Sequence, residues 1–358
     1  MQNKYYMPES VEHEISSLSE YIDLILSGRY ENSIYRGEPQ KYPHSNASAF
    51  RRTVESGGKY PFLHMKNEFK RETYYKITPD QRHDFLAFAQ HHGIPTNLLD
   101  FTTSPLIALF FACKPYFPQE ESIDSSGYVY LVRNHLLNVT KLISENENDN
   151  LLDLLLVGKK EIMAELYLRL SQYEQGFPEV FYTHLKKLHQ TLFPEEQFPA
   201  YEKGDYRNEI PESLLVYKDS ANKKIHQKLT RDQGELDPAI TAYLFSLQYY
   251  LKEIREGRIR HKWIDCLPNF TYQPIFSFER GKNQLGLFLY QNYLTLRGDD
   301  DSELVALQRI WPDVKIKVNN PRKILKQLDL MGINEKFIYG DVDSIARYIT
   351  NKYKDSIL

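Results

Sequence analysis

The chain has 358 residues, enough to bury a large core in one elaborated domain or two small ones. Its 45 basic and 48 acidic side chains nearly cancel, which excludes a general pull toward nucleic acid or membrane but allows a local basic groove. Two cysteines without a C-x-x-C argue against a disulfide framework and a cysteine zinc site. With no apolar signal core and no long apolar run, a cytoplasmic protein without membrane contact is expected.

Val11, Ile15, Leu18, Tyr21, Ile22, Leu24 and Ile25 recur at helical spacing, so residues 11–28 are predicted as a helix stopped by Gly28. A short strand around Ser33–Arg36 ends in Tyr35-Arg36-Gly37-Glu38. An arginine at a strand end beside a glycine offers its guanidinium to a phosphate or carboxylate; the plain alternative is a surface salt bridge. The loop over residues 39–53 carries Ser45, Ser48, Arg51 and Arg52 as candidate anion contacts. Helices are predicted over residues 61–77 and from Pro79 to His91.

The stretch Gln90–Cys113, QHHGIPTNLLDFTTSPLIALFFAC, organises the chain. Gly93 supplies a left-handed helix stop and Pro95 forbids continuation. Asn97–Phe101 reads as a strand delivering Asp100 to its edge. Ser104 and Pro105 form an N-cap and first-turn pair for a helix that is apolar nearly all round and therefore buried. A polar string wedged between two core elements points to a site. The competing reading makes His92 and Asp100 a structural pair that knits the turn.

Gly127–Arg133 is a predicted strand, and the ENENDN tract, with Asn148 and Asn150, is a solvated turn without the spacing of a calcium loop. Residues 150–257 read as a mostly helical insertion, with periodicity over Leu151–Val157, Ile162–Leu170, Val180–Leu192 and Leu229–Ile254. His184, His189 and His226 fall there without ligand spacing. Strands are predicted over Phe270–Phe278, Gln284–Tyr290 and Val314–Val318, and helices over Arg322–Leu330 and Asp341–Tyr353. The resulting organisation is an N-terminal helix (1–28), a first domain part (29–149), the insertion (150–257) and a second part (258–358). The fold class is α+β, a small mixed or antiparallel β core split by helices.

Tyr35-Arg36-Gly37, the string QHHGIPTNLLDFTTSPLIALFFA, Gln284-x-Gly286-x-Phe288 and the ending YGDVDSIARYI resemble the FRG-domain family of bacteria and phages. Two departures stand out, Asn97 where the family usually has arginine and Phe101 where it has tryptophan. The first removes a positive charge near the proposed site.

More distantly, the order of motifs resembles ADP-ribosyltransferases and implies that type of fold. By that resemblance Arg36, framed by Tyr35 and Gly37, grips the phosphate or ribose of NAD, and Thr102, Thr103 and Ser104 frame the nicotinamide pocket. Gln284 stands where a glutamate holds the ribose 2′-OH. A glutamine can hydrogen-bond a hydroxyl but brings no charge to an oxocarbenium-like state, so Asp100 and Glu279 are the candidates to supply it. His92 is the candidate to orient the ribose or move a proton. The implied protein is an NAD-using transferase or glycohydrolase, a toxin or phage-defence effector acting on nucleic acid, protein or a nucleotide. The alternative is a non-catalytic module binding a nucleotide or a nucleic-acid end. No metal is expected, since adjacent His91 and His92 cannot easily face one ion and no acidic cluster has two-metal spacing.

Overall fold

The computed structural model describes residues 10–354 except 29, 43–44, 52–60, 115–125, 147–148, 173–184, 186–236, 260–262, 276–278 and 296–303. The predicted contacts of Arg52, the helix over Val180–Leu192, Asn148 and the three insertion histidines lie outside the described residues, as does the start of the Leu229–Ile254 helix.

The first correction falls at the N-terminus. Residues 11–28 are a strand, β1 (Val11–Ile15), followed by helix α1 (Leu18–Ser27). Ser17 accepts from the Glu20 amide and Glu20 reaches back to the Ser16 amide, a reciprocal cap that starts the helix at Leu18. The alternating VEHEI segment pairs in parallel with a distant VKIKV strand, which places Glu12 beside Lys315 and Glu14 beside Lys317.

The strands that follow are β2 (Ile34–Glu38), β3 (Leu98–Thr102), β4 (Gly127–Val132), β5 (Leu136–Asn138), β6 (Asn269–Tyr272), β7 (Gly286–Tyr290), β8 (Tyr293–Thr295), β9 (Leu304–Leu307) and β10 (Val314–Val318). Eight of them form one mixed sheet in the order β1-β10-β4-β2-β3-β7-β6-β5, while β8 and β9 pair separately. The fold is therefore mixed α and β, built on one eight-stranded sheet. Neighbouring strands share up to five registered pairs, but β2 and β3 share only Tyr35 opposite Thr102. At that seam the sheet opens into two halves.

Between β2 and β3 run helices α2 (Phe62–Thr73), α3 (Pro79–His83) and α4 (Phe85–His91). The single helix predicted from Pro79 to His91 is thus two. Asp84 breaks it because its carboxylate is fixed elsewhere, accepting from the Ser144 hydroxyl at 2.7 Å, the Tyr272 hydroxyl at 3.0 Å and the Ile275 amide at 3.0 Å. Gly93, at φ 85°, ends α4 as expected, with the Ile94 amide returning to the Ala89 carbonyl.

Helix α5 (Pro105–Cys113) starts from the Ser104 cap and lies on the half-sheet β1-β10-β4-β2. Glycines set its distance. A Cβ on Gly37 would overlap the Ala108 carbonyl, and one on Gly127 would overlap the Ala112 carbonyl, so the helix backbone rests directly on both strands. Leu109 is fully buried in this core, so Leu109→Ala is expected to cost roughly 2–5 kcal/mol, readable by urea denaturation.

Helices α6 (Thr140–Glu145), α7 (Leu151–Leu156), α8 (Lys160–Ser171) and α9 (Pro238–Arg255) pack on the other half. Leu152, Met163, Leu166 and Leu251 share one core with Leu86, Leu98, Phe270 and Tyr290, so the described part of the insertion is continuous with the sheet. The chain continues into α10 (Glu279–Asn283), α11 (Pro321–Leu330), α12 (Glu335–Tyr339) and α13 (Val342–Lys354). Gln284 and Leu285, predicted within a strand, form the turn from α10 into β7, with Leu285 at φ 45°. Both cysteines are buried and free, and burial raises the Cys113 thiol to about 12. Among the described residues, no helix is long and apolar enough to cross a membrane.

Candidate functional site

Where β2 and β3 part, a cleft of about 430 Å³ opens. Its floor is β3 and β7 (Asp100, Phe101, Thr102, Gly286, Leu287, Phe288). Its walls are α4 (Ala87, Gln90, His91), α5 with its C-cap (Phe111, Lys114), and α10 with the turn after it (Arg280, Gly281, Gln284). Tyr35, Arg36 and Gly37 close one end, and Tyr339 sits at the rim.

Six of the ten predicted site residues therefore meet in one cleft: Tyr35, Arg36, Gly37, Asp100, Thr102 and Gln284. Four do not line it. His92 is exposed, with its ring 4.4 Å from that of Phe88 and 6.0 Å from that of Phe69; its neighbour His91 takes the cleft position. One residue along α4 rotates a side chain by about 100°, a difference that the pair His91-His92 in the sequence does not resolve. Ser104 caps α5, and the Thr103 hydroxyl donates to the Leu285 carbonyl at 3.5 Å. Glu279 lies at the start of α10, against Gly340.

The residues inside the cleft carry defined hydrogen bonds. Arg36 Nε donates to Glu38 Oε1 at 2.9 Å, and Nη1 donates to the Asp100 carbonyl at 2.8 Å. The guanidinium thus bridges the two parting strands, supplying a donor where the β2–β3 ladder has none. Glu38, which the sequence reading passed over, is its ion-pair partner. Their side chains are 15% and 5% exposed, and Glu38 Oε2 has no hydrogen-bond partner among the described residues. The Thr102 hydroxyl donates to the Gln284 carbonyl at 2.7 Å and accepts from the Ser104 amide at 3.0 Å, so it fixes the turn. Gln284 Nε2 donates to the Ile338 carbonyl at 3.4 Å, a bond that a glutamate could not make.

Asp100 is held by a chain of polar groups. Thr96 Oγ1 donates to Gln90 Oε1, and Gln90 Nε2 donates to Asp100 Oδ1 at 2.9 Å. Gln90 and Thr96 sit six residues apart in the motif stretch, across the Gly93 turn, which explains why that turn needs both polar side chains. The predicted His92–Asp100 structural pair is absent; Gln90 is the partner of Asp100. Asn97 is buried, donating to the Gln291 carbonyl, and does not line the cleft.

His91 is half-buried, and its imidazole is brought down to about 4 by burial first, then by His92 and Arg280. It faces the cleft as a neutral ring at pH 7. The unfolded chain, with an ordinary histidine near 6.5, binds the proton more readily, so stability is lost as the pH falls from about 6.5 through 4. Urea midpoints across that range should fall less steeply in His91→Gln than in the wild type.

A model of the FRG domain matches residues 31–121, so the chain contains an FRG domain. That segment spans β2, α2–α4, β3 and α5, the elements that form the seam and half of the cleft. No curated protein and no solved structure matches the chain. Among the described residues, no group of three or more histidines, cysteines or carboxylates is placed to hold a metal ion.

Proposed function

We propose that the cleft binds a nucleotide of the NAD type and that the protein is an NAD-consuming enzyme of the ADP-ribosyltransferase or glycohydrolase kind, serving as a toxin or defence effector. The observation that carries this reading is the lining itself: among the described residues, one carboxylate, Asp100, is held in a cleft whose other charged side chains are Arg36, Lys114 and Arg280. The cations suit a diphosphate, and Phe111, Phe288 and Tyr339 offer apolar faces to a base or a nicotinamide ring. The volume is in the usual range for small-molecule sites, roughly 300–1,000 Å³.

NAD would supply the scissile bond between nicotinamide and ribose. Asp100, fixed through Gln90, presents negative charge to the positive charge that develops on the ribose as that bond breaks. His91, neutral at pH 7, accepts a hydrogen bond or a proton from an acceptor hydroxyl. Arg36, with two of its donors committed to Glu38 and Asp100, has its Nη2 end to offer a ligand. Gln284 contributes by placing Thr102 and α12 rather than by charge.

A second reading, a non-catalytic nucleotide-binding module, is favoured by one observation: the position where the resemblance expects a glutamate holds an amide bonded to Ile338. Thermal-shift titration with NAD, ADP-ribose and ATP, paired with an assay for nicotinamide release, separates the two. NAD is expected to stabilise the wild type by about 2.7 kcal/mol at a hundredfold excess over its dissociation constant. Asp100→Asn should keep that shift while losing nicotinamide release by roughly two orders of magnitude or more. A shift without release in the wild type would leave the binding module. No shift with any of the three ligands would reject the nucleotide reading.

A further inference from the structure

At the rim of the cleft, two cations lie against the Tyr339 ring. Lys114 Nζ is 4.5 Å from its centroid and the Arg280 guanidinium 5.0 Å. The arrangement is fixed by the chain around it. Asn283 Nδ2 donates to the Phe337 carbonyl at 2.9 Å and Gln284 Nε2 donates to the Ile338 carbonyl, so α10 is tied to the last turn of α12. Gly340, at φ 70°, then turns the chain where a side chain would collide with Asn283. Lys114 caps α5 and reaches α12 through the Tyr339 hydroxyl at 3.2 Å and Glu335 at 2.8 Å.

The charges do not balance. Glu335 is shared between Lys114 and Arg347, so one carboxylate serves two cations. Arg280 is exposed and makes no ion pair among the described residues, although Glu279 precedes it in the chain. A guanidinium laid on a tyrosine face keeps its planar orientation and its outward donors. Two cations gathered on one ring beside a cleft repel each other, which an anion between them would relieve.

We infer that Arg280 and Lys114, braced by Tyr339, form a diphosphate subsite at the mouth of the cleft. This rests on the nucleotide reading and assigns the anionic part of the ligand to α10 and α5 instead of to Arg36. The sugar adjoining the diphosphate then extends inward toward Asp100. A ligand lacking the diphosphate should bind poorly.

The test is isothermal titration of inorganic pyrophosphate, ADP-ribose and NAD into the full chain. The proteins are the wild type, Arg280→Gln, the Arg280→Gln/Lys114→Gln double variant, and Lys336→Gln as an exposed control off the cleft. Arg280→Gln breaks no ion pair among the described residues, so it keeps the test valid if the double variant folds poorly. Each ligand should bind the wild type and the control alike. Affinity for all three should fall about tenfold or more in Arg280→Gln and further in the double variant. NAD bound equally by wild type and Arg280→Gln would overturn the subsite and leave the nucleotide reading standing. Pyrophosphate binding that depends on Arg280, without binding of NAD or ADP-ribose, would support an anion subsite and reject the nucleotide reading. Binding of none of the three would reject both.

Discussion

Gly37→Ala is expected to leave little folded protein. The new methyl group would overlap the Ala108 carbonyl and come within 2.6 Å of the Ala112 amide nitrogen, both backbone atoms of α5. No side-chain rotation can relieve such a clash, so the helix would have to lift off β2. Ordinary overpacking of a core costs roughly 1–3 kcal/mol, and a displaced central helix exceeds that range. Gly127→Ala should behave in the same way, because its methyl would meet the Ala112 carbonyl. Circular dichroism melting and soluble yield measure the effect; a Gly37→Ala protein that melts with the wild type would show that α5 does not rest on β2.

Arg36→Ala is expected to destabilise the fold by roughly 3–5 kcal/mol and to abolish activity as well. Taken from the sequence alone, Arg36 reads as a ligand-gripping residue, with a surface salt bridge as the plain alternative. In the structure the salt bridge is present but not at the surface, because Glu38 is buried and Arg36 is its ion-pair partner. Removing the guanidinium strands the carboxylate and also leaves the Asp100 carbonyl without its donor. Arg36→Ala/Glu38→Ala should recover part of the lost stability without recovering activity. Urea denaturation of the two variants checks this. Equal midpoints for Arg36→Ala and the wild type would mean that the pair contributes nothing to the fold.

The sequence made the centre of the protein readable and its edges less so. The Gly93 stop, the β3 strand and the Ser104-Pro105 start of α5 are set by local chemistry, by a left-handed glycine, a short apolar run and a cap, and each stands where its residues put it. Strand β1 was hidden because Val11 and Ile15 also fit the helical spacing of α1, and its partner β10 lies some three hundred residues away. The break at Asp84 was hidden for a similar reason, since its hydrogen-bond partners come from α6 and β6. At the site, the residue types were readable and their directions were not. The sequence offers two adjacent histidines and three consecutive hydroxyl residues; only packing turns His91 inward and His92 out, and commits the Thr102 hydroxyl to the turn. Glu38 stood beside Arg36 in plain view, and its i+2 position on the same strand face was the available signal. Gln90 and Thr96 were within the motif, but their link to Asp100 requires the fold around Gly93.

The β2–β3 cleft as the ligand site is the central claim, and hydrogen exchange with and without saturating NAD tests it most directly. Protection is expected at residues 34–40, 87–102 and 280–290 and around Tyr339, where the cleft is lined, with the distant β1 edge unchanged. Protection confined to other segments, or none in the presence of NAD, ADP-ribose or ATP, would contradict it.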